Sequence, residues 1–340
     1  MRLVRAEWSR FFARRFTRIM VVVVLGILGL ILIGVGASSH QPNPAVIAQA
    51  EAQAAEVRTQ VTAMRAQCEE EQRNPGAVDP NQKQFGQLPP GVTCAQIFDP
   101  AQVRPEDFMP HVFSFADEAP DLLKAFGGVL TLFAFAVGAS FIGAEWSSGG
   151  VMNQLLWRPR RLRLVTGKLG TLLVAIATTT IALMGVWIAA LWGLATLRGR
   201  MGEVTSGVSQ SMGLTGLRAL ALVLAAGAIG FAVASLGRNT ATAMGLAVGY
   251  VIVLEIGTRI VLEVAEVIKP EKWFLSTYAM AWLNQRVIFT EWRHCRYDTT
   301  GNCQSYDWAI DMKQASIVFG SILLVSVFAA FLAFRQRDVT

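Results

Sequence analysis

The feature that most constrains this chain is a set of long runs without Asp, Glu, Lys or Arg. A helix needs roughly 20 mostly apolar residues to cross a hydrocarbon core of about 30 Å. The runs lie at residues 19–39, 125–144, 169–197, 219–237, 239–254 and 314–334, the fifth being extended by apolar residues beyond Glu255. Only 16% of the chain is charged and 53% is hydrophobic, whereas soluble domains carry about 25% charged residues. The pattern predicts six transmembrane helices and argues against a soluble enzyme.

Basic residues predict the orientation of these spans, because short cytoplasmic loops retain positive charge. One side collects Arg2, Arg5, Arg10, Arg14, Arg15, Arg18, Arg158, Arg160, Arg161, Arg163, Lys168, Arg238, Arg335 and Arg337. Both termini are therefore expected in the cytoplasm, and the net charge of +6 indicates orientation rather than nucleic-acid binding. A cleaved signal peptide is disfavoured because the first apolar run exceeds the 7–15 residues of a signal core. Arg far outnumbers Lys, which favours a bacterial source and the bacterial plasma membrane.

The expected fold class is an all-α polytopic membrane protein with an interfacial elbow helix before the first span. In the elbow, Val4, Trp8, Phe11, Phe12 and Phe16 share one side of a helix, as in helices that lie in the membrane interface. The predicted order is elbow 1–18, span 19–39, extracellular insert 40–121, span 122–144, cytoplasmic loop 145–164, span 165–197, external loop 198–214, spans 215–237 and 239–262, external loop 263–311, span 312–334 and cytoplasmic tail 335–340.

All four cysteines fall in segments that the charge rule places outside. An even number on the oxidising side predicts disulfides. Three connectivities are open, as are free thiols, and we favour the local pairs Cys68 with Cys94 and Cys295 with Cys303.

The two large external segments carry different patterns. Residues 45–73 are rich in Ala, Gln and Glu and should be helical, with an apolar stripe at spacings of three and four; the stripe comprises Ile47, Ala50, Ala54, Val57, Val61 and Met64. The following stretch is Pro-rich, so the insert is interpreted as an external cap rather than an enzyme domain. Residues 273–285 are uncharged but too short to span, which predicts re-entrant or interfacial helices before the sixth span.

No pattern for catalysis or metal binding is present in the sequence. There is no Gly-x-x-x-x-Gly-Lys-Ser/Thr phosphate loop, so no ATP site of that type is expected. His40, His111 and His294 lie far apart, and we assign no metal, no catalytic residue and no cofactor to this chain.

The segment after the second span resembles the signature of type 2 ATP-binding-cassette (ABC) exporter permeases. In that family a Glu ends the second helix, a Gly follows four residues on, and a Leu-rich short helix, a Pro, an Arg and a Lys lead into the third helix. The matching residues are Glu145, Gly149, Leu155, Leu156, Pro159, Arg161 and Lys168, with Arg160 where Ser is more frequent. The elbow, the six spans, residues 235–239 and residues 334–339 extend the resemblance, while the long insert departs from the shortest members.

The resemblance implies a permease subunit without catalytic activity. Two copies, identical or paired with a related permease, would sit on two separately encoded ATPase subunits that bind ATP and Mg²⁺. The loop would be a coupling helix on the ATPase, with its contacts drawn from Glu145, Gly149, Leu155, Arg158, Pro159, Arg160, Arg161 and Lys168.

Glu255 and Arg259 form a possible intramembrane polar pair, four residues apart on one helix face. A lone charge at the bilayer centre costs roughly 2.5 to 3.5 kcal/mol, and pairing at this spacing relieves part of that cost. The pair either borders a translocation path or fixes helix packing near the outer surface; we favour packing, also for Gly245 and Gly249.

Three functions therefore compete. The leading one is an exporter of a drug, lipid or peptide. The others are a non-transporting ABC assembly that transmits motion to an external partner, and an ion-coupled secondary transporter. The last is disfavoured because the first four spans lack midplane carboxylates.

Overall fold

The computed structural model describes residues 14–39, 43–73, 92–150, 161–297 and 303–336, without the side chains of 161, 292–297 and 303–304. Six helices in these residues are long and apolar enough to cross a membrane. They are α1 (Arg15–Ser38), α4 (Phe115–Ser147), α5 (Arg161–Arg198), α6 (Ser206–Gly237), α7 (Thr240–Val264) and α9 (Met312–Gln336). Each predicted span thus corresponds to one helix.

Most of these helices extend beyond the charge-free runs that predicted them. Helix α4 begins at Phe115 and has Asp117 and Glu118 in its first turn, which suits a helix N-terminus. Helix α5 begins four residues before the predicted start. Residues 15–18, which were assigned to the elbow, belong to α1; the rest of the elbow, residues 1–13, lies outside the described residues.

Helix α7 changes its hydrogen-bonding pattern along its length. It is α-helical over Thr240–Gly249, π-helical over Tyr250–Gly257 and α-helical again over Thr258–Val264. A π-helix bonds residue i to residue i+5, and the Thr258 hydroxyl repeats that spacing by donating to the carbonyl of Val253 at 3.1 Å. The sequence predicted the span but not this change.

The segment before α9 contains short helices and also a β-hairpin. A 3₁₀ turn at Pro270–Trp273 precedes α8 (Leu275–Asn284), which is followed by β1 (Arg286–Tyr297) and β2 (Cys303–Asp311). The strands pair antiparallel, from Arg286 opposite Asp311 to Tyr297 opposite Cys303. The prediction of an all-α fold is therefore wrong here. Buried and exposed side chains alternate along β1, as expected for a strand with one covered face. Val287 and Phe289 pack on a core of Ala281, Ile310 and Ala315, while Ile288 between them is exposed.

The chain divides into two compact units. The first comprises Met1–Ile33, Phe115–Gly193 and Met201–Thr340. Its centre is the contact between α4 and α6, where glycines allow the two backbones to touch. A Cβ on Gly138 would collide with the carbonyl oxygen of Gly227, and one on Gly230 with that of Phe135. This close approach is typical of membrane helix pairs with small residues at the interface.

The second unit comprises Gly34–Ser114 and Leu194–Arg200 and includes the predicted cap. Its main element is α2 (Pro44–Arg73), as the composition predicted. A disulfide joins Cys68 on α2 to Cys94 at the start of α3 (Cys94–Ile97). Of the predicted stripe, Ala50 and Ala54 are buried, whereas Met64 is exposed.

The Ser39 hydroxyl links three separate segments of this second unit by hydrogen bonds. It donates to the carbonyl of Arg198 at 2.9 Å and accepts from the backbone N–H of Phe113 at 3.0 Å. The Arg58 side chain donates to the carbonyl of Val103 at 2.9 Å, which fixes the Pro-rich stretch against α2.

Candidate functional site

Glu145 lies near the end of α4 and is 8% exposed. Its two carboxylate oxygens contact different cations: Arg14 Nη2 lies 2.7 Å from Oε1, and Lys168 Nζ lies 2.6 Å from Oε2. The carbonyl groups at a helix C-terminus make a carboxylate unfavourable there. The two cations offset this repulsion and neutralise a charge that would be costly to bury alone.

Lys168 comes from the second turn of α5 and is 2% exposed. An ammonium that is buried without a partner is itself unfavourable. Glu145 and Lys168 therefore stabilise each other and join the two helices that flank the predicted coupling loop.

Arg14, directly before α1, adds a third helix to this contact. Its Nη1 donates to the carbonyl of Phe141 at 2.7 Å, and its guanidinium lies 4.8 Å from the centre of the Phe141 ring. It thus binds both the last turns of α4 and the Glu145 carboxylate. The sequence placed Arg14 among the cytoplasmic cations but gave it no partner.

Trp146, the residue after Glu145, contacts residues at the ends of α6 and α9. The Arg238 guanidinium, in the turn between α6 and α7, lies 5.3 Å from the Trp146 ring centre. The ring of Phe334, near the end of α9, lies 5.4 Å away. One turn earlier, a Cβ on Gly143 would collide with the backbone of Thr240, the first residue of α7.

Residues 143–146 of α4 therefore contact the ends of all five other spans. We call the set Arg14, Glu145, Trp146, Lys168, Arg238 and Phe334 the junction. It lies on the side of the spans that carries the predicted cytoplasmic basic residues. The junction is held by ion pairs and ring contacts. In the part of the chain that the structure describes, no cluster of His, Cys, Asp or Glu could hold a metal ion.

Comparison with protein families identifies the chain. A family model described as ABC-2 family transporter protein matches residues 2–339. The chain belongs to the ABC-2 transporter family. Membrane proteins of this family are typically non-catalytic permease subunits that work with an ABC ATPase. No curated protein and no solved structure matches the chain.

Among the residues predicted to couple the permease to an ATPase, the structure describes Glu145, Gly149 and Lys168. Gly149 has a positive φ of 69°, a conformation that suits glycine and ends helices, and α4 ends at Ser147. Leu155, Arg158, Pro159 and Arg160 lie outside the described residues, as does the side chain of Arg161.

The predicted intramembrane pair has other partners. Glu255 accepts hydrogen bonds from the Tyr250 hydroxyl at 2.8 Å and from the Ser276 N–H and hydroxyl at 3.0 and 2.7 Å. The Arg259 guanidinium lies over the Phe274 ring, 4.6 Å from its centre. Each of the two charged groups thus has its partner at the start of α8 or directly before it.

Two further predictions concern packing and the second disulfide. Gly245 and Gly249 have no atom within 4 Å of an added Cβ in the described part of the chain, and the role of these glycines in helix packing stays a prediction. Cys295 and Cys303 lie on the two hairpin strands, but their side chains are outside the described set.

Proposed function

We propose that this protein is the permease subunit of an ATP-driven ABC exporter that moves an amphipathic or hydrophobic substrate across the plasma membrane. The observation that carries the proposal is the junction, which links all six spans beside the loop that resembles a coupling helix. Membership in the ABC-2 family supports a permease. Export, the substrate and the ATPase partner are proposals.

The junction offers a direct route for motion from the loop to the spans. The loop leaves α4 at Ser147, two residues after Glu145, and enters α5 at Arg161, seven residues before Lys168. A displacement of the loop by an ATPase therefore acts on the buried pair, which is bound to α1 through Arg14. Trp146 extends the same displacement to α6 and α9 through Arg238 and Phe334.

Glu145 acts in this scheme as a positioning residue inside the permease. It is buried and already bound by two cations, so direct contact with the ATPase falls to the basic residues Arg158, Arg160 and Arg161. ATP hydrolysis and its Mg²⁺ would belong to the ATPase. Two permease copies, identical or related, would pair with two ATPase subunits.

The test is coupling in a reconstituted complex. The chain is co-expressed with ABC ATPase subunits from the same source, and the complex is purified and placed in proteoliposomes. Changing both Arg160 and Arg161 to Glu should leave insertion intact and reduce ATPase stimulation by hydrophobic compounds at least tenfold. The control is Arg104→Glu in the external insert, which should leave stimulation unchanged.

Three outcomes separate the candidate functions. Loss of stimulation in the loop variant, together with ATP-dependent uptake of compound into inverted vesicles, supports an exporter. An ATPase that co-purifies and hydrolyses ATP without uptake of any compound indicates an assembly that transmits motion to an external partner. Transport driven by an ion gradient, without an ATPase, would contradict the proposal.

A further inference from the structure

The π-helical part of α7 places two side chains where an α-helix could not. Tyr250 and Glu255 are five residues apart, and the Tyr250 hydroxyl donates to the Glu255 carboxylate at 2.8 Å. In an α-helix, with 3.6 residues per turn, positions five apart point about 140° away from each other. The wider i to i+5 repeat of the π-helix brings them to the same face.

These two side chains cap the first turn of α8. The first N–H groups of any helix lack partners within it, and Phe274, at the N-cap, provides no side-chain bond. The Leu275 N–H donates to the Tyr250 hydroxyl at 3.1 Å, and the Ser276 N–H donates to Glu255 at 3.0 Å. Arg259 completes the contact by covering the ring of Phe274.

The rest of α8 is anchored to other helices. The Trp282 indole N–H donates to the carbonyl of Arg218 on α6 at 2.9 Å. Ala281 packs with Ile310 of β2 and Ala315 of α9. By contrast, no residue of the π-helical segment is buried, so the polar contacts of Tyr250 and Glu255 are its main attachment to α8.

We propose that Glu255 is a positioning residue that couples the π-helical form of α7 to the docking of α8. The segment Tyr250–Gly257 is then a two-state joint. It is π-helical while Glu255 and Tyr250 cap α8, and α-helical when that contact is released. Because the two states differ in rise and rotation, release of α8 changes the length of α7, and a pull on α7 uncaps α8.

The proposal does not depend on an ATPase or on transport, so it is tested on the full-length permease alone in lipid nanodiscs. Spin labels are introduced as unnatural amino acids at Val248 and Val261, which are 53% and 62% exposed, so the native cysteines stay unchanged. Pulsed electron paramagnetic resonance spectroscopy measures the distance between the labels. An unbroken α-helix would separate these positions by about 20 Å along its axis, and the π-helical form is shorter.

Glu255→Ala should lengthen the distance between the labels and speed amide hydrogen exchange in the first turn of α8 at least tenfold. Tyr250→Phe should change both readouts in the same direction but by a smaller amount. It replaces Glu255→Ala as the test variant if Glu255→Ala does not purify as a monodisperse protein. Glu255→Gln keeps a carbonyl acceptor for Ser276 and should restore most of both readouts.

The control is Glu266→Gln, which removes an exposed carboxylate beyond the end of α7 and should change neither readout. An unchanged distance in Glu255→Ala and Tyr250→Phe would overturn the proposal, even with faster exchange in α8. That result would make Glu255 a simple helix cap without influence on α7.

Discussion

A single carboxylate with two cationic partners, of which Lys168 is buried and Arg14 is partly exposed, dominates the chemistry of the junction. Removing one member of a buried ion pair leaves an uncompensated charge and costs about 3–5 kcal/mol. Replacing both members by neutral residues of similar size is often close to neutral. Glu145 and Lys168 meet this description, since Lys168 is 2% exposed and the pair is 2.6 Å apart.

We expect Lys168→Met to destabilise the permease by about 3–5 kcal/mol and the double change with Glu145→Gln to recover much of this loss. The reason is that the buried Glu145 carboxylate keeps only Arg14 as a partner in the single variant. The double variant removes both charges of the buried pair and leaves only the Arg14 guanidinium, whose side chain is 22% exposed and can be hydrated. The measurement is reversible unfolding in mixed detergent micelles, followed by tryptophan fluorescence.

A matched control uses the exposed pair of Lys124 and Asp121 on the same helix, in which Asp121 is 76% exposed. Lys124→Met should cost less than about 1 kcal/mol, because exposed ion pairs contribute little. Equal losses for Lys124→Met and Lys168→Met would contradict a special role for the buried pair.

The sequence indicated Glu145 and Lys168 as important but could not show that they touch. They are 23 positions apart, and their contact depends on how α4 and α5 pack. Arg14 was harder to assign, because a basic residue before an apolar run is expected from topology alone. Trp146 carried no pattern at all, and its partners at Arg238 and Phe334 come from distant parts of the chain.

At the scale of elements, the spans could be predicted and their irregularities could not. Twenty apolar residues suffice to indicate a membrane helix, whatever its exact hydrogen bonding. The π-helical part of α7 is held by contacts with α8, so local propensity does not reveal it. The hairpin was missed because its alternating part, Val287 to Thr290, is short and borders charged and aromatic residues.

We expect Gly138→Ala on α4 to destabilise the first unit by about 1–3 kcal/mol, the usual cost of overpacking. The added methyl would collide with the carbonyl oxygen of Gly227 on α6, and two packed backbones cannot easily separate. The measurement is the same unfolding assay as above.

Gly128→Ala provides the control on the same helix, since nothing lies within 4 Å of its added Cβ. It should be neutral or slightly stabilising, because alanine favours a helix by up to about 1 kcal/mol over glycine. A Gly138→Ala variant as stable as Gly128→Ala would show that the α4 and α6 backbones are not tightly packed.

At the scale of the whole molecule, the distribution of basic residues predicts the membrane orientation, with both termini in the cytoplasm and the insert outside. The junction and the basic residues lie at one end of the spans, and the disulfide lies in the second unit. We expect a fluorescent protein fused after Thr340 to fluoresce in the cytoplasm. Alkaline phosphatase inserted after Pro90 should be active outside, and the reverse result for both reporters would contradict the orientation.

The disulfide between Cys68 and Cys94 constrains the second unit. Cys68 and Cys94 are buried, and they close a loop with a sequence separation of 26. A bridge of this kind typically contributes about 2–4 kcal/mol, mainly by restricting the unfolded chain. Arg58 and the Ser39 contacts would remain, so we expect changing both cysteines to Ser to loosen the end of α2 near residue 68 first.

Limited proteolysis followed by mass spectrometry measures this loosening. Cleavage between residues 60 and 100 should become at least tenfold faster in the Cys68→Ser, Cys94→Ser variant, because local opening is drawn from the least stable part of a structure. Cleavage between α7 and α8, in the first unit, should stay unchanged. The variant with Cys295→Ser and Cys303→Ser serves as the matched control, since it removes two cysteines from the hairpin and leaves the second unit intact. Equal cleavage of the second unit in both variants would show that the contacts of Arg58 and Ser39 hold it without the disulfide.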